Sequence, residues 1–496
     1  MRQVSPAGTI KPVPAPGLWL HVELPLLPIE VVTRGLRETG PAVLAAGEGH
    51  RRYVGLANVQ AATLGIRAGM SLAAAHALGE IAVFEPKPAA EQAALNNLGV
   101  WAQHLTSQVS LVPPTGLLLE IRGSLRLFGG PAGLLLRLRQ GLRQLGYRAY
   151  HAVAPTPLAA SVLARATPHA EILDLHELHA QLAPLPLAAL RLPATEQAAF
   201  DSIGVTTLGA CRRLPRADFA RRWSPTLLDL LDRLYGLLPD PRPGLALPTR
   251  FESLLELPAE VSSAPALTTA GERLLGELLG YLQARAAVAA RLHWCVHARG
   301  RRPQRFETAH TRPTREFARM SLLLRETLMR MRLDAPAQAL ELRVDECMPE
   351  AARTADLFDS RQEPPDEAYA AFAERLRARC GSAAVRRPRL VQDHRPEHAC
   401  CWRDGQSDVP AGNGTRAIRP VWLNRQPLAL PTRGGCPQFD GPLRILPGRE
   451  RVDVGWWEGQ TQARDYFVAV TPRGSRVWIY RELNGARRWC LHGIFE

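Results

Sequence analysis

Residues 250–345 carry the pattern that most restricts how this chain can fold. Residues 250–258 (RFESLLELP) form a strand pattern, and residues 268–290 then place Leu274, Leu275, Leu278, Leu279 and Leu282 on one helical face. Residues 291–298 (RLHWCVHA) alternate Leu292, Trp294 and Val296 as a strand does, and residues 303–310 (PQRFETAH) read as another strand. Residues 315–333 return to helical spacing, and residues 338–345 (QALELRVD) close the run as a last strand. The order β-α-β-β-α-β is the split βαβ unit, a sheet covered on one face by two helices.

A second such layer is expected nearer the N-terminus. Residues 117–121 are a short apolar run with a β-branched end, the mark of a buried strand. Gly123, Gly129 and Gly130 punctuate the next segment, and residues 134–146 (LLLRLRQGLRQLG) have the spacing of an amphipathic helix. Residues 18–23 (LWLHVE) and 147–154 (YRAYHAVA) read as further strands, and residues 92–108 as a helix. Strand, helix and strand in that order fit an α/β layer.

The stretch LEIRGSLRLFGG (residues 119–130) is similar to the palm strand of Y-family (UmuC-like) translesion DNA polymerases. GLANVQAATLGIRAGMSLAAAHAL (residues 55–78) resembles the fingers segment of that family, most closely at Gly65, Ile66, Arg67, Ala68, Gly69 and Met70. The resemblance implies a multidomain α/β and α+β protein of right-hand architecture. It would comprise a tail (1–17), palm and fingers (18–173), a helical thumb (174–240), a little finger (249–346), a linker (347–367) and a C-terminal β-rich module (368–496).

The same resemblance shows what has been replaced. An Asp-Glu pair that holds the catalytic Mg²⁺ ions in the family aligns with Thr115 and Gly116, and the first metal-binding Asp aligns with His21, leaving Glu23 at the second acidic position. Hard divalent cations need charged oxygen ligands, and two-metal phosphoryl transfer needs several of them. No aspartate precedes Asp174, so the usual palm carboxylates are missing and no catalytic residue, metal or cofactor is expected. The family's Tyr and Arg that contact the incoming triphosphate align with Val59 and Ala62, so no nucleotide grip is expected either. An active but atypical polymerase would have to build its metal site from His21, Glu23 and Glu120.

The charge balance points toward nucleic acid. The chain has 61 basic and 47 acidic residues, a net charge of +14, and all the basic residues except Lys11 and Lys87 are arginine. Guanidinium forks match phosphates bidentately. Ile203, Gly204 and Val205 form a hydrophobic–Gly–hydrophobic turn that resembles a helix-hairpin-helix, although a plain αα-hairpin has the same pattern. Arg299, Arg301, Arg302, Arg305, Arg312 and Arg315, with Arg319, crowd the middle of the little-finger region against Glu307 and Glu316. These two places are expected to touch the DNA backbone.

Within a Pro-rich, charged linker, Thr354, Ala355, Asp356, Leu357 and Phe358 look like the bacterial sliding-clamp pentapeptide, with Thr in place of the favoured Gln. A flexible flank with two apolar anchors suits a tether. The strings GWWEG, RDYFVA and HGIF near the C-terminus look like the tail of ImuB proteins, the catalytically defective Y-family paralogues of bacterial mutagenesis cassettes. The resemblance implies a scaffold in SOS-induced translesion synthesis. Its partners would be DNA, the sliding clamp, an ImuA-type RecA-like protein and an error-prone C-family DNA polymerase.

Other classes find less support. No run approaches the ~20 apolar residues of a membrane span, and residues 1–17 lack the apolar core of a signal peptide. Eight cysteines without a CxxC pair argue against a disulfide framework or zinc ribbon, so the cytoplasm is the expected compartment. Two His and two Cys in residues 393–403 invite a metal reading, but their spacing fits no zinc pattern. A DNA-binding structural protein without clamp contact is the remaining alternative.

Overall fold

The computed structural model describes residues 17–35, 40–350, 365–381, 384–391, 393–403, 419–454 and 462–495. It divides into two units, one ending at Arg379 and the other beginning at Cys380. The residues of the clamp-like pentapeptide (354–358), the GWWEG string and nearly all of the N-terminal tail lie outside the described residues.

The first unit starts with β1 (Trp19–Glu23), α1 (Leu27–Thr33) and an excursion of β2 (Ala42–Ala46), β3 (Tyr53–Ala57), α2 (Val59–Thr63), α3 (Leu72–Leu78) and β4 (Ala82–Phe84). The excursion forms its own three-stranded sheet, ordered β3-β2-β4. It covers the segment whose sequence resembles the family's fingers, and Gly65 and Gly69 sit in its turn at φ 86°, a left-handed conformation that suits glycine. The chain then returns through α4 (Pro88–Ala102), β5 (Val109–Val112), β6 (Gly116–Glu120), α5 (Leu125–Phe128), α6 (Pro131–Leu145), β7 (Tyr150–Ala154) and α7 (Pro157–Ala166).

The palm sheet has the order β5-β6-β1-β7, with every neighbour antiparallel. Side chains of a strand alternate between faces. Leu20, Val22, Leu117, Leu119 and Val153 therefore pack on one side, in a core shared with α4 and α6. Trp19, Leu118, Ala152 and Ala154 pack on the other, against α7 and the helices beyond. His21 and Glu23 belong to this second face.

A helical region comes next, formed by α8 (Leu175–Leu182), α9 (Ala194–Asp201), α10 (Leu208–Arg212), α11 (Arg216–Arg222) and α12 (Pro225–Leu234). The split βαβ unit then appears as expected, as β8 (Phe251–Val261), α13 (Thr268–Ala284), β9 (Ala287–Ala298), β10 (Gln304–Thr314), α14 (Phe317–Arg330) and β11 (Ala337–Val344). Its sheet is ordered β10-β9-β11-β8, and β12 (Met348–Pro349) pairs with β9. The next described element, α15 (Pro365–Cys380), packs on this layer: Glu374 accepts from Arg319 Nε at 3.0 Å and Nη2 at 2.7 Å.

The second unit is rich in sheet. A hairpin of β13 (Arg387–Leu390) and β14 (Cys400–Arg403) precedes β15 (Trp422–Leu430), β16 (Thr432–Arg433), β17 (Cys436–Pro437), β18 (Arg444–Ile445), β19 (Glu450–Val454), β20 (Gln462–Val470), β21 (Arg476–Glu482) and β22 (Trp489–Ile494). The main sheet runs β15-β22-β21-β20-β18, with β19 also on β20. One face is held by an aromatic stack in which Tyr466 and Trp478 lie 4.1 Å apart and the Tyr466 hydroxyl is 2.9 Å from His492 Nδ1. Trp402 and Trp422 stand outside the core, 62% and 69% exposed. Among the described residues, no helix is long and apolar enough to cross a membrane.

Candidate functional site

The palm corner is built from the end of β1, the start of β6 and one face of α7. Register places Glu23 opposite Gly116 and His21 opposite Leu118, so both side chains project toward α7. His21 is completely buried. Its Nε2 lies 2.9 Å from Glu23 Oε2, and its Nδ1 lies 3.0 Å from the Ser161 hydroxyl on α7. The Thr115 hydroxyl donates to Glu23 Oε1 at 3.0 Å, and Arg165 Nη1 stands 3.8 Å from Oε2.

Electrostatics fix the protonation of this corner. Burial lowers the His21 pKa more than its bond to Glu23 raises it, so the ring is neutral at pH 7. A neutral ring with Nε2–H donating to Glu23 accepts the Ser161 proton at Nδ1. Burial pushes Glu23 up, but its bonds to His21 and Thr115 and the charge of Arg165 outweigh it, and the carboxylate stays ionised. The corner thus holds one anion, with both oxygens already engaged and a guanidinium nearby.

Gly116 is part of the same arrangement. A Cβ there would stand 2.8 Å from His21 Cε1 and 3.0 Å from the Val112 carbonyl oxygen. An imidazole at position 21 and a side chain at position 116 compete for one space. Glu120, at the other end of β6, uses Oε1 to accept from the backbone N–H groups of Leu18 at 3.1 Å and Arg122 at 3.2 Å. Among the described residues, no group of three or more His, Cys, Asp or Glu side chains could hold a metal ion. In residues 393–403, Asp393 is instead paired with Arg395, and Glu397 with Arg464.

Ser161, His21 and Glu23 also follow the order of a hydrolytic relay. Such a relay needs its hydroxyl open to substrate, whereas Ser161 is buried inside α7 and lies 3.1 Å from the Pro157 carbonyl oxygen. The chain of bonds is a staple between sheet and helix. Neither Ser161 nor Arg165 is among the candidate site residues named from the sequence. Their i, i+4 spacing, which places both on one face of α7, was the available signal.

Val59 and Ala62 lie on the exposed side of α2, whose first turn is capped by Asn58 accepting from the Ala61 N–H at 2.8 Å. Neither supplies a charge or a hydrogen-bonding side chain.

The turn between α9 and α10 has Gly204 exposed at φ 74°, with Val205 buried. The N–H groups of Ile203 and Val205 donate to the Phe200 carbonyl oxygen, and that of Gly204 to Asp201. The Thr207 hydroxyl accepts from Ala210 N–H at 3.2 Å. These amides are already used inside the protein.

The six little-finger arginines fall into two groups. Arg299, Arg301, Arg302 and Arg305 are exposed around the tip of the β9–β10 hairpin. Arg312 and Arg315 lie at the other end of β10, ~30 Å away at about 3.3 Å per residue. There Arg315 pairs with Glu350 at 2.8 Å. Carboxylates interleave along the outer sheet face: Glu341 meets His297 at 2.7 Å, and Glu307 lies 3.9 Å from Arg291.

Comparison with known proteins adds to this geometry. Residues 28–165 match the impB/mucB/samB family. Protein ImuB from two strains of Caulobacter vibrioides, NA1000 / CB15N and ATCC 19089 / CIP 103742 / CB 15, is 28% identical over 458 residues, covering 87% of this chain and 100% of the relative. Among solved structures, the insertion ternary complex of Dbh DNA polymerase covers 67% of this chain and 100% of its own at 14% identity and a TM-score of 0.39. DinB from Sulfolobus solfataricus covers 66% and 98% at 14% identity and a TM-score of 0.36.

Proposed function

We propose, from the premise that this chain is an ImuB-type paralogue of the Y-family polymerases, that it is a DNA-bound scaffold that does not itself polymerise. The observation that carries this reading is the palm corner. Its single carboxylate, Glu23, is committed to His21, Thr115 and Arg165, and His21 fills the space beside Gly116 where a further ligand would project. Two-metal phosphoryl transfer asks for anions free to clamp the attacking and leaving oxygens.

In this reading the protein works in the cytoplasm in SOS-induced translesion synthesis and mutagenesis. The hairpin-tip arginines 299, 301, 302 and 305 hold the DNA backbone, with Arg312, Arg315 and the flank of Ile203–Gly204–Val205 as secondary contacts. Residues 354–358 tether the sliding clamp through Leu357 and Phe358. The C-terminal unit, with Trp402 on its hairpin and Trp422 on its main sheet exposed, receives the protein partners, an ImuA-type RecA-like protein and an error-prone C-family polymerase.

The clamp link is tested by replacing Leu357 and Phe358 with alanine and titrating the purified protein with clamp. Loss of most of the affinity is expected, with DNA binding unchanged. Equal clamp affinity in the variant would leave a DNA-binding protein without that tether.

A further inference from the structure

A cleft of about 1040 Å³ opens beside the palm, away from the His21 corner. It is lined by the end of α6, the strand edge at β7, His169, the start of α2 at Asn58, Val59 and Gln60, the length of α1 from Leu26 to Arg34, and Arg273 of α13. His151 lies on the opposite sheet face from His21, as the alternation of β1 and β7 requires. The cleft therefore shares none of the hydrogen-bonded groups of the His21 corner, although it reaches Asn58 and Val59 at the start of α2.

Its chemistry is one-sided. Arg139, Arg143 and Arg148 stand exposed on its rim, and Arg273 reaches in from α13. Among the described residues none of these four guanidinium groups has a carboxylate partner within 4.0 Å, and Arg273 Nη1 makes no hydrogen bond. Elsewhere in the chain arginines are commonly paired, as at Arg216–Asp232 and Arg451–Asp465. The acid that lines the cleft, Glu30, is buried, with Oε2 unpartnered, and burial pushes its pKa up to about 8. It adds little negative charge at neutral pH. His169 holds a left-handed backbone at φ 69° and places Nδ1 3.1 Å from His151 Nδ1. Strained non-glycine backbone of this kind concentrates at ligand sites.

Four guanidinium groups without a carboxylate partner, one of them (Arg139) donating Nε to the Leu135 carbonyl oxygen at 3.3 Å, line a concave site and fit an anion with several charged oxygens in a small volume. A duplex about 20 Å wide would meet only the rim arginines, whereas Arg273 lies half-buried inside. We propose that this cleft is a binding site for a small polyphosphate, either inorganic pyrophosphate or the phosphate chain of a nucleotide. The proposal does not depend on clamp binding or on the absence of polymerase activity.

Calorimetric titration of the full chain with pyrophosphate, ATP and inorganic phosphate tests it, beside the variants Arg143→Ala and Arg273→Ala. Pyrophosphate is expected to bind at least tenfold more tightly than phosphate, and each variant to weaken it at least tenfold while DNA affinity stays within twofold. Equal affinity for pyrophosphate and ATP would mean that recognition ends at the phosphoryl groups. Tighter ATP binding would mean that the base is held too. Binding of neither probe, or binding indifferent to both variants, would overturn the proposal. So would a parallel loss of DNA affinity in both variants, which would make the cleft a DNA groove.

Discussion

At the scale of single residues, the corner around His21 is a set of side chains that depend on one another. Gly116 is required because the His21 ring occupies the space of a Cβ. Gly116→Ala is therefore expected to cost about 1–3 kcal/mol as an overpacked site, and clearly less in a His21→Ala background. Urea denaturation of the two single variants and the double variant measures that coupling. The buried carboxyls set the pH response with opposite signs. Glu374 is held at about 2 against burial by hydrogen bonds from Arg319 and the Thr311 amide, with His310 Nδ1 3.6 Å away. Its stabilising contribution is present above its usual 4.5 and is lost as the pH falls toward 2. Glu30, raised to about 8, contributes fully below 4.5 and loses that contribution as the pH rises through 8. Glu374→Gln should thus flatten the acid limb of the stability–pH curve, and Glu30→Gln the alkaline limb, both read by thermal melts from about pH 3 to 9.

At the scale of elements, much was legible because local pattern and tertiary fate agree. The β-α-β-β-α-β run appears in order, and Leu274, Leu275, Leu278 and Leu282 are all buried as their spacing requires, while Leu279, expected on the same face, is only half-buried. What the periodicity missed is the other face of α13, where Glu277 and Gly280 are also buried. A Cβ on Gly280 would stand 2.3 Å from Trp101 Cδ1 on α4, and one on Gly276 would stand 2.9 Å from a methyl of Leu145 on α6. Glycine in a helix reads locally as a weak point, and nothing local says that a second domain approaches it. The hairpin turn was legible in shape but not in the use of its amides, because their acceptors lie on the preceding helix. For DNA binding, the hairpin tip is the element to test. Replacing Arg299, Arg301 and Arg302 with alanine should reduce the slope of log affinity against log salt by about 2–3 at ~0.9 per phosphate contact. An unchanged slope would move the DNA contact elsewhere.

At the scale of the whole molecule, the first unit joins the β5-β6-β1-β7 layer to the split βαβ layer through a buried polar seam. Arg34 after α1 donates to Glu277 at 2.7 Å, the Ser253 hydroxyl to Glu277 at 2.5 Å, and Asn97 to Ser253 at 2.9 Å. Leu245 of the connecting segment donates to the Val109 carbonyl at 2.8 Å, continuing the edge of the palm sheet. Truncating one member of a buried ion pair strands the other, at about 3–5 kcal/mol. Glu277→Ala is accordingly expected to lower stability by that amount and to expose residues 241–248 to limited proteolysis before the two layers themselves are cut. Whether the site around His21 and Gly116 can transfer nucleotides decides what the molecule is for. Primer extension with the purified full chain, using Mg²⁺ or Mn²⁺, with and without sliding clamp, answers that. Salt-sensitive binding to the primer–template with no nucleotide incorporated is the expected result. Template-dependent incorporation that co-purifies with the protein and disappears with Glu23→Gln would contradict it.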